Sequence, residues 1–253
     1  MSVKERINVI FNSKMRRFPL TETSSNFTYS FNKNITRITE IIIKSVQIPF
    51  TCYPINVTNN VLTFNGGLIT ITITPGSYTS SSLGIELKSK IDAAFGDATT
   101  VVTFSNKTFK LSIVRGTPFI IDAFINIPAS TASSILGFNV SSSNLSTVIG
   151  DSAVNLSGTN YVNIISNFLT KPIQQKTLYA NDNYENVLTT ILVDSSPGDI
   201  ITTTNHEDLS IKLSYKFKIM KTDIIDIKLT DDDGNILDLN GSNFSMQVVF
   251  VTE

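Results

Sequence analysis

Alternation between apolar and polar residues dominates the chain and predicts β-strands through most of its length. Residues 27–31 alternate in the way that a half-buried strand requires. Residues 38–48 form a longer β-branched run, which Pro49 should end because proline cannot donate to a β-ladder. Further strand patterns follow at 162–165, 187–193, 199–203, 209–219, 225–230, 236–239 and 244–251.

A mixed pattern separates the first strands from the later ones. Strand patterns at 61–64 and 68–74 flank Asn65-Gly66-Gly67, residues that tolerate the positive φ of a hairpin turn. A helix is predicted next, between the N-cap hydroxyls of 80–82 and Gly96, because apolar residues recur every four positions. Those residues are Leu83, Leu87, Ile91 and Phe95.

The rest of this block contains a second hairpin and a short helix. Strands at 101–105 and 108–114 should be joined by a tight turn at Asn106-Lys107, and residues 130–136 favour a short helix. Residues 141–159 are rich in Ser, Asn and Gly and are predicted to form a loop or linker.

The order of these patterns predicts a mostly β protein in which an α+β block interrupts a β-sandwich. We predict an N-terminal arm at 1–20, the first part of the sandwich at 21–60, a small α+β insertion domain at 61–150, and the second part of the sandwich at 151–253.

Composition narrows the class of protein. Only 16% of the residues are charged, against roughly 25% in typical globular proteins. The net charge of −1 gives no overall electrostatic footprint for nucleic acid or membrane. A surface rich in Ser, Thr and Asn suits a particle that packs against copies of itself, and an A/T-rich genome would produce it equally well.

Short landmarks, in order along the chain, resemble one family. They are the opening strands at 26–31 and 41–49, the corner Tyr53-Pro54-Ile55-Asn56, the segment 71–79 with Pro75-Gly76 and Tyr78, the triplet Leu136-Gly137-Phe138, and the C-terminal stretch 227–248 with its Asp-Gly turn and Asn240-Gly241. Together they are similar to the jelly-roll penton (vertex) and minor capsid proteins of virophages and nucleocytoplasmic giant viruses.

The resemblance implies a single jelly-roll sandwich and a structural role in an icosahedral virion. It implies no enzymatic activity, and a protein that is made in the host cytoplasm and then built into the capsid. The implied partners are the chain itself, as a homopentamer, and the major and other minor capsid proteins, reached through the N-terminal arm. The insertion domain is a candidate for binding a host-surface receptor. A minor or cement capsid role remains an alternative. So does a jelly-roll glycan-binding head or fibre module.

Candidate chemistry is sparse, and we predict no catalytic, cofactor or metal site. Asp231-Asp232-Asp233-Gly234-Asn235 suggests calcium, but its Gly and Glu spacing does not fit an EF-hand loop, so a solvated hairpin turn is expected. His206 is the single histidine, and its neighbours Glu207 and Asp208 cannot supply the geometry of a triad.

The remaining candidates also favour structural roles. Cys52, the single cysteine, excludes an intrachain disulfide and is expected to be a buried small hydrophobe. Gly66-Gly67 and Gly116-Thr117-Pro118 do not follow a phosphate-loop pattern. One basic cluster stands out, and it is either an interior-facing arm that meets acidic neighbours or genome phosphates, or an ordinary solvated terminus. It comprises Lys4, Arg6, Lys14, Arg16 and Arg17.

The strand pattern at 7–11 suggests that this segment adds to the sheet of a neighbouring protein. The segment 6–18 is therefore expected to be ordered chiefly through contacts with other virion proteins.

Overall fold

The computed structural model of the protein describes residues 4–170, 177–178, 184–185, 187–204, 210–212 and 219–253, with side chains for 4–169, 187–203 and 223–253. Strands make up 44% of the described residues and helices 10%, which confirms the predicted mostly β class with antiparallel sheets consistent with a jelly-roll sandwich. Contacts divide the chain into two units. We call Met1–Cys52 with Thr159–Glu253 the sandwich unit, and Tyr53–Gly158 the inserted unit.

The strands are β1 (Glu5–Asn12), β2 (Asn26–Pro49), β3 (Val61–Phe64), β4 (Ile69–Thr72), β5 (Val101–Phe104), β6 (Leu111–Phe119), β7 (Leu145–Ile149), β8 (Tyr161–Ile165), β9 (Thr177–Leu178), β10 (Tyr184–Glu185), β11 (Val187–Leu192), β12 (Ile200–Thr204), β13 (Ser210–Lys212), β14 (Ile219–Thr230) and β15 (Ser245–Thr252). The helices are α1 (Ser80–Phe95) and α2 (Asn167–Thr170), and a 3-10 turn covers Ser13–Met15.

One 24-residue strand, β2, organises the sandwich unit. Its first part pairs with β14 and its second part with β15, and β12 and β13 also pair with the second part. The sheet continues from β14 to β8 and β11, and from β15 to β1. Arg37, at φ 56°, lies between the two parts of β2. The sequence predicts both parts but not that one unbroken strand joins them.

The core of the sandwich unit is built from the apolar face of this sheet. Isoleucine side chains of β2 pack there with aromatic side chains from β1 and β15. The ring of Phe11 lies edge-on to the rings of Tyr29, Phe31 and Phe250, with centroids 5.3 to 6.4 Å apart. Such edge-to-face contacts stabilise aromatic pairs beyond the burial of their surface.

The N-terminal segment is ordered within the chain itself, which corrects the expectation that residues 6–18 of an N-terminal arm are ordered chiefly by other virion proteins. β1 pairs with β15 in continuous antiparallel register from Glu5–Thr252 to Asn12–Ser245. Val9 and Phe11 are buried in the core of the same unit. The strand predicted at 7–11 is therefore confirmed. It pairs with a strand of the same chain and not with a neighbouring protein, because its alternating apolar residues complete the core of the sandwich unit.

The inserted unit has a core of its own around α1. The hairpin of β3 and β4, the helix and the sheet β5-β6-β7 enclose it. Thr79 caps the helix N-terminus and exchanges hydrogen bonds with Ser82, and Gly96 ends it at φ 71°. The predicted helix is confirmed, although its N-cap is the threonine that precedes the three serines. Leu83, Leu87 and Ile91 are buried in the core, as their spacing predicts.

A buried arginine joins the end of α1 to β6. The guanidinium of Arg115 pairs with Asp97 and lies 3.6 Å from the ring centroid of Phe95. A buried cation requires such partners because desolvation is costly.

Three local expectations for the inserted unit are wrong. Residues 130–136 form successive turns instead of a helix, since the hydroxyls of Ser130 and Ser133 bind backbone groups of the 122–124 segment. The supposed linker at 141–159 contains β7, which pairs with β6. The turn after β5 is wider than Asn106-Lys107, because the backbone pairing ends at Ser105 and Lys110.

The strand predicted at 236–239 is also wrong, because only an isolated bridge between Thr230 and Ile236 forms there. Part of the pattern at 209–219 lies outside the described residues. No helix of the described part of the chain is long and apolar enough to cross a membrane.

Two glycines of the inserted unit provide a matched test. Gly137 has φ +84°, and a Cβ there would collide with the backbone oxygen of Ser152. Gly84 lies in α1, and a Cβ there would meet Phe104 at an ordinary 3.5 Å. Gly137→Ala should lower the free energy of unfolding by about 2–4 kcal/mol through strain and collision. Gly84→Ala should raise it by about 0.5–1 kcal/mol because alanine favours helix.

Urea denaturation followed by circular dichroism measures both changes. Equal effects of the two substitutions would show that the backbone at Gly137 is not constrained as described.

Candidate functional site

The loop at 231–241, which we call the crossing loop, carries polar side chains that hydrogen-bond to two distant parts of the sandwich unit. It begins with a tight turn in which the carboxylate of Asp231 accepts hydrogen bonds from the backbone of Asp233 and Asn235 and from the Asn235 side chain. Gly234 adopts φ 84° and donates its N–H to the carbonyl of Asp231. A tight turn is therefore present where a hairpin turn was expected, but Asp231 folds it from within and only the isolated Thr230–Ile236 bridge closes it.

The second aspartate of the crossing loop binds the point where the chain returns from the inserted unit. The Asp232 carboxylate accepts hydrogen bonds from the hydroxyl of Thr159 at 2.9 Å, and from the backbone and side chain of Asn160 at 3.0 and 2.8 Å. Although a solvated turn was expected, the Asp232 carboxylate in it is bound by the protein itself.

The other end of the crossing loop binds the point where the chain leaves the sandwich unit. The hydroxyl of Thr51 donates to the carbonyl of Leu239 at 2.6 Å, and the Asn240 amide donates to the carbonyl of Thr51. Leu237 and Leu239 are buried in the core and fix the loop between these contacts. One loop thus holds both connections to the inserted unit.

Burial and hydrogen bonding move the two aspartate pKa values in opposite directions. Burial raises the pKa of Asp232, but hydrogen bonds from Asn160 and Thr159 outweigh it and hold that pKa below its ordinary 3.8. Burial raises the pKa of Asp231 above 3.8, with the charge of Asp233 adding to the effect against hydrogen bonds from Asn235. The carboxylate form is therefore favoured at Asp232 and disfavoured at Asp231.

Cys52 lies beside the crossing loop and packs against the sandwich core. Burial, with the negative charge of Asp238 adding to it, raises the pKa of the thiol to about 12. The sulfur therefore stays protonated at neutral pH, and a protonated thiol is a poor nucleophile.

The basic cluster lies along β1 and the turn that follows it. Lys4 and Arg6 are at the start of the strand, and Arg16 donates to the carbonyl of Ser13 at 3.0 Å. The guanidinium of Arg17 lies 5.0 Å from the ring centroid of Phe18, and its backbone N–H donates to the carbonyl of Thr28. The cluster therefore lies along an edge strand of the sheet and the turn that follows it.

A cleft of about 600 Å³ separates this basic turn from the crossing loop. Its lining includes Lys14, Arg16, Ser24, Leu237, Asp238 and Asn243.

The other sequence candidates are placed in structural roles. The N–H groups of Gly66 and Gly67 donate to the two oxygens of Asp122, so a carboxylate of the protein occupies the position that a phosphate would need. The N–H of Gly116 donates to the hydroxyl of Thr99. His206 with Glu207 and Asp208 lies outside the described residues. Among the residues that are described, no three His, Cys, Asp or Glu side chains cluster as metal ligands.

Residues 51, 159 and 160 escaped the sequence reasoning. Thr159 and Asn160 stand at the end of a Ser- and Asn-rich stretch, where nothing distinguishes them from their neighbours. One sequence feature pointed to this loop, the Asp-Asp-Asp-Gly-Asn run. An Asp shortly before a Gly often accepts hydrogen bonds from the backbone of its own turn.

Several of the resemblance landmarks meet in space. In the inserted unit, Ile55 and Gly76 exchange backbone hydrogen bonds at 3.4 and 2.8 Å, so the corner after β2 pairs with the Pro75-Gly76 turn. The Tyr78 hydroxyl closes this turn by donating to the carbonyl of Thr74 at 2.6 Å. In the sandwich unit, Leu239 and Asn240 of the C-terminal landmark form hydrogen bonds with Thr51.

Comparison with known proteins gives two structures that span almost the whole chain. The crystal structure of the mavirus penton protein covers 98% of this chain and 100% of its own, at 10% identity and a TM-score of 0.49. A chain in the cryo-EM structure of the Sputnik virophage covers 100% and 98%, at 12% identity and a TM-score of 0.48.

One of these structures is a penton protein and the other comes from a virophage. The structural neighbours are therefore of the kind that the sequence landmarks resemble. No family model matches the sequence, and no curated protein matches it.

Asp232→Asn tests the crossing loop. An amide cannot accept all three hydrogen bonds as an anion does, so the free energy of unfolding should fall by about 1–2 kcal/mol at pH 7. Because the folded pKa of Asp232 is lowered, its stabilisation is present above pH 3.8 and is lost as the pH falls through the folded pKa. Denaturation curves of the variant and the wild type should therefore converge in acid.

Asp233→Asn is the matched control, since Asp233 is exposed in the same turn and its side chain should contribute less than about 0.5 kcal/mol. A difference between Asp232→Asn and wild type that persists unchanged at pH 2 would contradict the assignment.

Chelation tests the calcium interpretation. The carboxylates of Asp231 and Asp232 already accept hydrogen bonds from protein donors, so EDTA should leave the melting temperature unchanged. A decrease of more than a few degrees, reversed by added Ca²⁺, would show that this loop holds a metal ion.

Proposed function

We propose that this protein is a structural capsid protein that occupies the five-fold vertices of an icosahedral virion as a homopentamer. The observation that carries the proposal is that the residues on which the family resemblance rests occupy positions that the backbone constrains. Gly137, Gly234, Asn240 and Gly241 all adopt positive φ, between 47° and 84°. Such conformations select Gly and Asn, so the landmarks mark sites that this fold requires.

The positions of the landmarks support the same proposal. The corner after β2, the Pro75-Gly76 turn and the crossing loop contain the contacts at both ends of the insertion. A chance match in an Asn- and Ser-rich chain would distribute such short motifs over unconstrained surface positions. Their concentration at the two ends of the insertion favours a fold shared with the family that they resemble. A shared fold supports the capsid role.

The chemistry of the chain fits a structural protein better than an enzyme. The carboxylates of the crossing loop are used for internal hydrogen bonds, and the Cys52 thiol is protonated.

An apolar surface loop supplies a candidate contact between copies. From the last residue of the 3-10 turn onward, the chain exposes the side chains of Met15, Phe18 and Leu20, and Leu20 is 99% exposed. Large apolar side chains that are grouped on a surface mark interaction sites. We place the ring interface on the apolar side chains of this loop. Arg16 and Arg17 lie between them, but Arg16 donates to Ser13 and Arg17 lies over the Phe18 ring within the same copy.

The remaining partners follow from the capsid role. The major capsid protein and other minor capsid proteins would surround the ring. The inserted unit exposes Phe109, Phe124 and Ile125, which are candidates for contact with a host-surface receptor.

Sedimentation of the purified protein at low and high salt tests the vertex role. A five-copy species is expected at both, because screening weakens exposed charge pairs and leaves apolar contacts intact. A ring closes by head-to-tail contacts, and a vertex requires five copies. A monomer that binds a glycan array with defined specificity would instead support the binding-module alternative.

Substitution of the apolar loop locates the interface. Phe18→Ser combined with Leu20→Ser should shift the five-copy species toward monomer by at least about tenfold in dissociation constant, since two apolar anchors are lost. Leu68→Ser is the control, because Leu68 is equally apolar and 84% exposed but lies on the inserted unit. If the control disrupts the ring and the double variant does not, the interface lies on the inserted unit.

A further inference from the structure

The free edge of β1 has a defined hydrogen-bonding pattern. The register with β15 runs without a shift from Glu5 to Asn12, and the Ser13 N–H donates to the carbonyl of Phe244 in the same register. In an antiparallel ladder, residues alternate between those bonded to the partner strand and those facing away. Odd-numbered residues of β1 therefore bind β15, and even-numbered residues direct their N–H and C=O groups outward.

These outward groups are available for pairing. Among the described residues, nothing accepts from or donates to the outward backbone of Arg6, Asn8 or Ile10. The Ile10 side chain is 61% exposed on the same margin. Proteins usually protect an edge of this length with proline, a bulge or a covering element, and the first two are absent from β1.

Positively charged residues lie at both ends of this edge. The first 20 residues hold five of the chain's 20 basic residues and one of its 21 acidic residues, which leaves 15 basic and 20 acidic residues for the remainder. Lys4 and Arg6 lie at one end of β1, and Lys14, Arg16 and Arg17 follow its other end. The carboxylate of Glu22 accepts from the backbone N–H groups of Phe18 and Thr28 and belongs to the turn itself.

This charge pattern selects the occupant of the edge. A second copy that paired antiparallel through its own β1 would bring Lys4 toward Lys14 of the other copy at both ends, which is repulsive. An acidic segment would meet a cation at each end, and its uncharged centre would lie against Asn8 and Ile10.

We propose that the free edge of β1 binds an extended segment of another protein, acidic at both ends and β-branched and uncharged in its centre, which adds to the sheet as a further strand. Backbone hydrogen bonds to Arg6, Asn8 and Ile10 align the added strand, and the flanking cations select its charge. The backbone pairing does not depend on the vertex ring, because the apolar loop proposed for the ring lies outside β1. Arg16 and Arg17 are shared with that loop, whereas Lys4 and Arg6 are not.

A fluorescent peptide with the sequence Asp-Asp-Thr-Val-Thr-Val-Thr-Glu-Glu is the probe, and Asn8→Pro is the test variant of the full chain. Proline fits an edge strand and removes only the outward N–H, so the ladder to β15 remains. Asn8→Thr, which keeps the N–H, is the matched control. We expect the dissociation constant to rise by at least about tenfold for Asn8→Pro and to change less than about twofold for Asn8→Thr.

Modified peptides test the edge without changing the protein. N-methylation at alternate residues blocks one edge of the bound strand, so one methylated series should lose binding and the other should keep it. A peptide with Lys in place of the Asp and Glu residues should bind at least about tenfold more weakly at low salt, and this difference should shrink at high salt.

Three results would overturn the proposal. The first is peptide affinity that is unchanged by Asn8→Pro and by both methylated series. The second is self-association of the protein that Asn8→Pro abolishes, which would assign the edge to a second copy. The third is a DNA oligonucleotide that competes with the peptide, which would assign the basic cluster to nucleic acid. Failure of the vertex role would be recognised separately, since the five-copy species is measured by sedimentation and does not require Asn8.

Discussion

The fold depends on pairing the backbone of β2. A strand of 24 residues presents N–H and C=O groups along both edges, and buried backbone groups that lack partners are costly. The partners of β2 are β14 and β15, with β12 and β13, and all of them come after the inserted unit in the sequence. The sandwich unit must therefore be assembled from two distant parts of the chain. The inserted unit, which connects those parts, follows directly after this strand.

The crossing loop resolves the problem that such an insertion creates. Where a chain leaves a sheet and returns, its ends lose ladder partners and tend to fray. Here the exit at Thr51 and the return at Thr159 and Asn160 bind to a single loop that Leu237 and Leu239 anchor in the core. The acidic run that suggests calcium is thus explained by backbone geometry, since its oxygens replace ladder partners at the return point.

Sequence reasoning succeeded where local patterns determine structure. The capped helix α1, the β3–β4 hairpin with Asn65-Gly66-Gly67 and the start of β2 follow from periodicity and turn chemistry. It failed where the structure of a segment depends on residues that are distant in the sequence. β7 was not predicted, because its residues are mostly exposed and its sequence shows no apolar alternation. It is a strand because it pairs with β6. The roles of Thr51, Thr159 and Asn160 depend on contacts with residues far along the chain, which one sequence does not reveal.

The discontinuity of the sandwich unit also sets an order of events on the ribosome. Tyr53–Gly158 is continuous and has its own core, so it can fold as soon as it emerges. Throughout that time β2, with its buried isoleucines, has been synthesised but cannot pair with β14 or β15. Such non-local pairing is slow, and an unpaired apolar strand is prone to aggregate. The yield of folded protein in a cell should therefore be limited by how well this one strand is shielded, by a chaperone or by speed of translation, until the last strands arrive.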